Sequence, residues 1–575
     1  MQSLKQLQRN IKSAASDSLP GLKVALLGDT ATQLLSVALR GEAVERGFCL
    51  QLFESDYNQV EQQILDPASG FHAHDGQYAI IFQSTHKLLQ LHSQMSPSDA
   101  PALAEQRIDF IRRICESVHG KVIYFNYPEI DDGIFGSYAN SIEQSFTYQV
   151  RKLNYELMRL SQELPNLFIC DISALQNQLG RNFMFTPSIY VSTEMVLSVD
   201  ALPYVASRTM DIICALEGKF KKCLILDLDN TLWGGNVGDD GWEHLQLGHG
   251  LSIGKAFTEF QEWVKKLRQR GIIVCVCSKN DEDKAKEAFE KNPEMVLKLD
   301  DISVFIANWE NKASNIRAIQ SILNIGFDSM VFLDDNAFER NMVRENIPGI
   351  TVPELPEDPG EFLEYLYSQN LFETASYSSA DKDRTKQYQL EAKRVSSAMK
   401  FTNEADFLKS LKMMSEVSGF TGFNTPRVAQ LSQRSNQFNL RTVRYTEDQI
   451  TAIENDPKQK GFAFTLEDKF GDNGLIAVVI LQEIEPDTLF IDTWFMSCRV
   501  LKRGMEHFTL NTIVDYARQN GYMYIIGEYL PTTKNGIVKE HYPNLGFSPI
   551  EGVETSQWIL NVEKYQDIGC YITAK

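Results

Sequence analysis

Nowhere in the 575 residues does an apolar run approach the roughly 18 residues that span a bilayer, so the sequence predicts no transmembrane helix. The opening stretch, 1–19, is polar and amphipathic through Leu4, Leu7 and Ile11, and it lacks the apolar core and small-residue cleavage site of a secretory signal. Cysteine pairs are missing too. Nine cysteines are scattered along the chain, none in a CxxC pair, and the one close spacing, Cys275 and Cys277, falls inside an apolar run. This excludes a disulfide framework and a structural zinc and points to a reduced, cytoplasmic protein. Basic charge is scarce: 56 Lys+Arg stand against 76 Asp+Glu, for a net charge of −20. Nucleic-acid binders draw affinity from Lys and Arg on phosphates, so this balance argues against that class and leaves room for a basic protein partner. Repeats and low-complexity tracts are also absent. What remains is a composition of 43% hydrophobic and 23% charged residues, that of a globular chain with ample core. At roughly 150 residues per domain, its length suggests three or four domains.

Three stretches carry separate α/β rhythms. In the first, short apolar runs at 23–30, 78–82, 121–125 and 167–172 alternate with helical patterns. The second has strands predicted at 223–228, 272–277, 304–307 and 330–333, then a proline-punctuated tail at 352–359. Alternation of this kind implies parallel βαβ units. A charged helical connector over 380–411 leads to longer strand candidates at 461–468, 474–483, 489–497, 522–529 and 557–561, with a helix at 505–518. The fold class expected is a multidomain α/β protein, divided as 1–218, 219–368, a connector at 369–411, and 412–575.

The densest chemistry lies in 224–235, LILDLDNTLWGG. An apolar strand delivers Asp227 and Asp229, then Thr231 and a glycine-rich turn. Ligands of parallel sheets bind beyond the carboxyl ends of the strands. A carboxylate there can attack phosphorus, and a second can protonate the leaving oxygen and then activate water. Alone, an Asp-x-Asp pair is as readily a solvated turn. Three later features shift that balance. Ser278 and Asn280 follow the next buried strand in VCSKN, suited to a phosphate-bearing substrate. Lys312 opens a helical pattern after NWEN and can neutralise phosphate and nucleophile charge. Asp334 and Asp335 follow a further strand in VFLDDN, and with Asp227 and Asp229 they make a hard oxygen site suited to Mg²⁺. Fifty residues intervene between Asp227 and Ser278 and 21 between Lys312 and Asp334. Neither interval has room for a separate cap domain, so an open site is expected.

These four motifs resemble those of the haloacid-dehalogenase superfamily over 220–365. The resemblance implies Asp227 as nucleophile, Asp229 as general acid/base, Thr231 and Ser278 as phosphate ligands, Lys312 as charge stabiliser, and Asp334 beside Asp335 as magnesium ligands, with the backbone carbonyl of Asp229. More narrowly, KCLILDLDNTLWGG (222–235), GDDG (238–241) and LDDNAFERNMV (333–343), with QRSNQFNL (433–440), FGDNG (470–474) and MSCRVLKRG (496–504), resemble the FkbH-like family. Membership would imply loading of a glyceryl unit from 1,3-bisphosphoglycerate onto an acyl carrier protein through its phosphopantetheine arm, with loss of phosphate on the way.

The third stretch also resembles the GNAT acyltransferase fold. Arg499 and Gly504 align with its Gln/Arg-x-x-Gly-x-Gly/Ala signature as substrate-binding positions, and Lys502 replaces the first glycine. Backbone N–H groups at the start of the following helix can hold a phosphate. Cys498 has two readings: a small buried hydrophobe, or a thiol that captures an activated acyl group, with Arg499, Arg503 and the helix start favouring the thiolate and His507 or His541 as base. In the first stretch, LGDT (27–30) resembles the opening of SGNH hydrolases. Threonine stands at the nucleophile's position and no Asp-x-x-His segment precedes residue 222, so this part reads as a docking or substrate-positioning module. The leading expectation is a magnesium-dependent phosphatase coupled to acyl transfer onto a carrier protein. The alternative is a capless phosphatase on a sugar or nucleotide-sugar intermediate with an acyl-CoA-dependent N-acyltransferase domain. A third reading is a non-catalytic scaffold for carrier proteins.

Overall fold

The computed structural model describes residues 2–13, 19–250, 252–377, 384–398, 400–532, 534–550 and 556–575. Parts of the amphipathic start (1 and 14–18) and of the connector (378–383 and 399) lie outside the described residues. Two compact units divide the chain, Met1–Leu216 and Glu217–Lys575. No helix among the described residues is long and apolar enough to cross a membrane.

Unit 1 is built on the parallel strands β1 (Gly21–Gly28), β2 (Cys49–Glu54), β3 (Tyr78–Phe82), β4 (Lys121–Phe125) and β5 (Leu167–Cys170), in spatial order β2-β1-β3-β4-β5. The central strands read as unbroken apolar runs because helices cover both faces. Ile111 and Ile114 of the helix Leu103–Ser117, with Leu153 and Leu157 of the helix Phe146–Glu163, close one side. β2 is not foreseen in the sequence. It is an edge strand with Leu50 as its one buried residue, so it carries no apolar run. Strand order reverses between β1 and β3, which opens a crevice at their carboxyl ends.

Unit 2 holds two sheets. The first comprises β6 (Cys223–Leu226), β7 (Ile273–Ser278), β8 (Val304–Ala307) and β9 (Met330–Leu333), parallel, in order β8-β7-β6-β9. Phe257, Phe260 and Val264 of the helix Ile253–Gln269 pack on one face, and Ile316, Ile319 and Leu323 of the helix Lys312–Leu323 on the other. No cap domain is inserted among the described residues, in keeping with the short intervals in the sequence.

The second sheet contains β10 (Met413–Ser415), β11 (Val417–Ser418), β12 (Gln459–Asp468), β13 (Gly471–Glu485), β14 (Thr488–Met496), β15 (Tyr524–Tyr529), β16 (Ser548–Pro549), β17 (Ser556–Asn561) and β18 (Ile572–Ala574). An antiparallel β12–β13–β14 meander passes through the helix Met505–Gln519 into β15, which runs parallel to β14. This is an α+β arrangement. The three-residue strands β10 and β18 escape sequence reading because they are too short to show a period.

The helix Arg384–Ala398 joins the two sheets of unit 2 instead of merely linking them. Its Gln389 amide donates to the carbonyls of Asp300 and Ile302 at 3.0 and 2.9 Å, and Tyr388 sits in the core beneath β6–β9. On the other side Arg394 forks onto Asp468 at 2.7 and 2.9 Å, and Arg503 reaches the same carboxylate at 3.3 Å. The Asp468 side chain is 0% exposed, and its charge is met by these two cations and by the Phe470 and Gly471 N–H groups at 2.8 and 3.3 Å. Removing one side of a buried charge network leaves the remainder unpaired in a low-dielectric interior. Asp468→Ala is therefore expected to destabilise unit 2 by roughly 3–5 kcal/mol, read as a lower urea midpoint at unchanged slope.

Candidate active site

Immediately after β6 the chain turns. The N–H groups of Thr231 and Leu232 return to the Leu228 carbonyl at 3.1 and 2.7 Å, and Asn230 adopts φ +54°, a left-handed conformation that asparagine tolerates. Asn230 Oδ1 also takes the Gly235 N–H at 3.1 Å. The turn leaves Asp227 at the end of β6, with its own N–H on the Leu333 carbonyl of β9 at 3.0 Å. Sheet geometry thus sets the ends of β6 and β9 side by side and brings Asp227 to Asp334.

Lys312 lies between these two acids. Its Nζ is 2.8 Å from Asp227 Oδ2 and 2.5 Å from Asp334 Oδ2, and all three side chains are at most 9% exposed. Burial alone pushes the ammonium down, but the two carboxylates outweigh it and hold Lys312 above its ordinary value. Burial, and then the Asp227 charge, push Asp334 up, and the same two causes raise Asp335. Oxygens of Asp227, Asp334 and Asp335 lie within 4.8 Å of one another. Three carboxylates against one ammonium leave an excess of two negative charges in hard oxygen donors, which matches a divalent cation such as Mg²⁺. The residues therefore fit the expected metal.

Asp229 is the one expected metal ligand whose carboxylate stays out of this cluster. Its Oδ1 takes the Trp233 indole N–H at 2.8 Å and the Val237 N–H at 3.1 Å, and its Oδ2 takes the Asn280 amide at 2.9 Å. Ligation by Asp229 is thus left to its backbone carbonyl. Asn280, expected to touch substrate, gives its amide to Asp229 and, at 3.4 Å, to Ser278 Oγ. Thr231 is fully buried; its hydroxyl takes the Asp335 N–H at 3.0 Å and faces the Asp335 carboxylate at 3.2 Å. Sequence reasoning missed Arg340, whose guanidinium donates to the carbonyls of Asp334 and Asp335 at 2.9 and 2.6 Å and so locks the backbone that presents both acids. Its signal, an arginine one and a half turns beyond the acid pair, lies within the 333–343 motif.

Cys498 occupies a different place. It follows β14 and lines a cleft of about 710 Å³ with Lys502, Glu506, His507, Gln320 and Asn324. The cations expected to activate its thiol are engaged elsewhere: Arg499 with Gln387 and Ser497, Arg503 with Glu391 and Asp468. His541 lies in the wall of the same cleft, where burial pushes it down to about 3 and its ring packs against Trp494 and Phe438. Among the described residues no hydrogen bond joins the thiol to either histidine. Lys502 and Gly504 both take positive φ, +63° and +78°, so the loop keeps a glycine-like backbone despite the lysine. β14 and β15 pair only over Thr488–Ile491. Beyond that they part, and residues 438–440 fill the gap: Leu440 N–H to Trp494 O at 3.2 Å, Met496 N–H to Phe438 O at 3.0 Å, and Leu530 N–H to Leu440 O at 2.9 Å.

In unit 1, Thr30 is fully buried and its hydroxyl has no hydrogen-bond partner among the described residues. A threonine so enclosed presents no nucleophile to solvent.

Because Asn280 holds Asp229 without belonging to the acidic cluster, Asn280→Ala should lower kcat for a phosphate monoester by about 10–100-fold, as loss of a supporting group around a metal site does. KM and the Mg²⁺-induced rise in Tm should stay near wild type. A matching loss of the Mg²⁺-induced rise would instead make Asn280 part of the metal site.

Residues 23–214 match the model of the FkbH N-terminal domain. The N-terminal part of the Bacteroides fragilis protein BF1531, described as containing a phosphatase domain complexed with Mg, is 65% identical, with TM-score 0.64, covering 65% of this chain and 100% of that one. Ribosomal-protein-S18-alanine N-acetyltransferase from Escherichia coli aligns at 16% identity over 25% of this chain and 91% of its own, with TM-score 0.20. The GNAT domain of S. lividans PAT aligns at 16% identity over 25% and 89%, with TM-score 0.21. No curated protein matches the chain. An N-terminal domain of this kind, joined to the acidic site on β6–β9 and shared with a relative of such high identity, places the chain in the FkbH-like family.

Proposed function

We propose that this protein is a bifunctional glyceryltransferase and phosphatase that loads a glyceryl unit from 1,3-bisphosphoglycerate onto an acyl carrier protein. The observation that carries the reading is a single helix with a candidate site at each end. Lys312, its first residue, sits between Asp227 and Asp334, while Asn324, just past its last, donates to the Cys498 carbonyl at 3.0 Å. Twelve residues at 1.5 Å each separate the two ends by about 18 Å. A three-carbon unit cannot touch both places at once, so it must travel. A thiol on the flexible arm of a carrier protein supplies that movement.

In this scheme the Cys498 thiolate attacks the acyl carbon of the mixed anhydride and expels inorganic phosphate, which leaves a thioester. The carrier's pantetheine thiol then takes the acyl group and returns Cys498 as a thiol. At the other end, Asp227 attacks the phosphorus of the remaining phosphate monoester. Asp229 protonates the departing hydroxyl oxygen, then accepts a proton from the water that hydrolyses the aspartyl-phosphate. Lys312 offsets the charge of the nucleophile, and Ser278 would receive a phosphate oxygen. Bound Mg²⁺ would be held by Asp227, Asp334 and the Asp229 carbonyl, with Asp335 alongside, and would supply charge stabilisation to the transferring phosphoryl group. The absence of a cap leaves this site open to a substrate carried on a protein.

The two activities should separate by mutation. Asp227→Asn should accept the acyl group but stall with its distal phosphate attached, as a hydroxylamine-labile phosphoglyceryl thioester on Cys498 or the carrier. Cys498→Ala should fail to load the carrier yet keep Mg²⁺-dependent hydrolysis of a phosphate monoester. Intact-protein mass spectrometry of both variants, with and without holo-carrier, reads these outcomes. Wild-type phosphatase turnover in Asp227→Asn would falsify the nucleophile assignment. Wild-type loading by Cys498→Ala would leave direct attack by the pantetheine thiol as the route.

A further inference from the structure

Unit 1 has a cavity of about 370 Å³ where its strand order reverses, lined by Asp29 after β1, Asn58 after β2, Gln83 after β3, and Arg107, Phe110 and Arg113 of the helix Leu103–Ser117. That volume falls within the roughly 300–1,000 Å³ of small-ligand pockets, and a crevice at such a reversal is the ordinary binding place of an open parallel sheet. The polar groups around it are not arranged at random. Arg107 Nε donates to the Tyr127 hydroxyl at 3.0 Å, the Tyr127 and Tyr124 hydroxyls meet at 2.6 Å, and Tyr124 donates to Gln83 Oε1 at 2.6 Å. Because Arg107 can only donate, Tyr127 must pass its own proton to Tyr124, and Tyr124 to the Gln83 carbonyl. The chain therefore runs one way and ends on an acceptor.

Its consequence lies at the two ends. The Gln83 carbonyl already accepts the Tyr124 proton, and the side chain still carries its amide N–H₂ donors. The terminal nitrogens of Arg107 make no hydrogen bond and no ion pair among the described residues, and the guanidinium carbon lies 4.5 Å from the Phe110 ring centroid. Donors are thus left over at both ends, one of them a full cation. Asp29 offsets part of that charge, but both of its oxygens are already engaged by the Ser84 N–H at 2.9 Å and burial pushes its carboxyl up to about 6. Glu61 and Arg113, which also line the cavity, balance each other in formal charge, so the terminal nitrogens of Arg107 remain as donors. Thr30 is buried and does not line the cavity, so no hydroxyl nucleophile faces a bound molecule from this position.

We infer that the crevice of unit 1 is a binding site for a small organic oxyanion, a carboxylate or a phosphate, held by Arg107 and Gln83. Planar guanidinium groups bind either oxyanion with two parallel hydrogen bonds. Its lining residues all belong to unit 1, and it holds its ligand without hydrolysing it.

Isothermal titration calorimetry on the full chain tests this, in EDTA so that Mg²⁺-assisted binding at Asp227 is suppressed. Three probes separate the chemistries: glycerate carries only a carboxylate, glycerol 3-phosphate only a phosphate, and 3-phosphoglycerate both. Wild type and Asp227→Asn should bind at least one probe with the same affinity. Arg107→Gln should weaken it by about tenfold or more, the worth of a hydrogen bond to a charged group. Leu91 lies on the rim and is 46% exposed, so Leu91→Trp should obstruct the mouth without disturbing the core and weaken binding equally, even if Arg107→Gln fails to fold. Binding of glycerate but not glycerol 3-phosphate assigns a carboxylate site, and the converse a phosphate site. The inference is overturned if no probe saturates wild type at millimolar concentration, if Leu91→Trp and folded Arg107→Gln bind like wild type, or if Asp227→Asn alone abolishes binding.

Discussion

A buried lysine between two buried carboxylates is the constraint on which the catalytic half of this protein depends. Asp227 and Asp334 arrive on adjacent strands of one parallel sheet, nearly dehydrated and close enough to repel. Without a cation between them, one would have to take up a proton or move. Lys312 removes that conflict, and its position is set by the start of a helix whose Asn311 caps it by accepting the Ser314 N–H. The same arrangement leaves an excess of negative charge once Asp335 is counted, and this excess selects a divalent cation. Arg340 stabilises it from behind, through carbonyls and not through the carboxylates, so it steadies the acids without competing for them.

The helix that begins at Lys312 also relates the acidic site to the rest of unit 2. Its far end reaches the loop after β14, and the helix Arg384–Ala398 ties the same two sheets together through Gln389 and the Arg394–Asp468 pair. Arg499 and Arg503 therefore serve structure first: both are buried and spent on the connector helix. The arginine cluster before Gly504 looks like an anion site when read along the chain. In space it anchors a helix.

Legibility in the sequence followed burial and periodicity. Strands β3, β4 and β9 are apolar runs covered on both faces, and they stand where those runs begin and end. Edge strand β2 and the short strands β10 and β18 show no such run, because solvent on one side or mere brevity removes the pattern. The Asp227–Asp229 pair, Lys312 and Asp334 were legible because each follows its own strand or opens its own helix, at intervals that leave no room for a cap. Less accessible was the partner of each polar atom, since the pairs are far apart in the chain: Asn280 with Asp229, Thr231 with Asp335, Arg107 with the Tyr127–Tyr124–Gln83 relay.

The amino-acid sequence by itself determined the α/β character, the acidic motifs and their order, and the lack of any insertion over the catalytic site. These depend on local periodicity and on residues that work at strand ends, which a linear reading captures. Only the tertiary structure decided that the Asp229 carboxylate is held away from the metal cluster, that the gap between β14 and β15 is filled by residues 438–440, and that Cys498 and Asp227 lie at opposite ends of one helix. Those outcomes follow from which side chains and strands meet across long sequence separations, and hydrogen-bond partnership at a distance leaves no periodic trace along the chain.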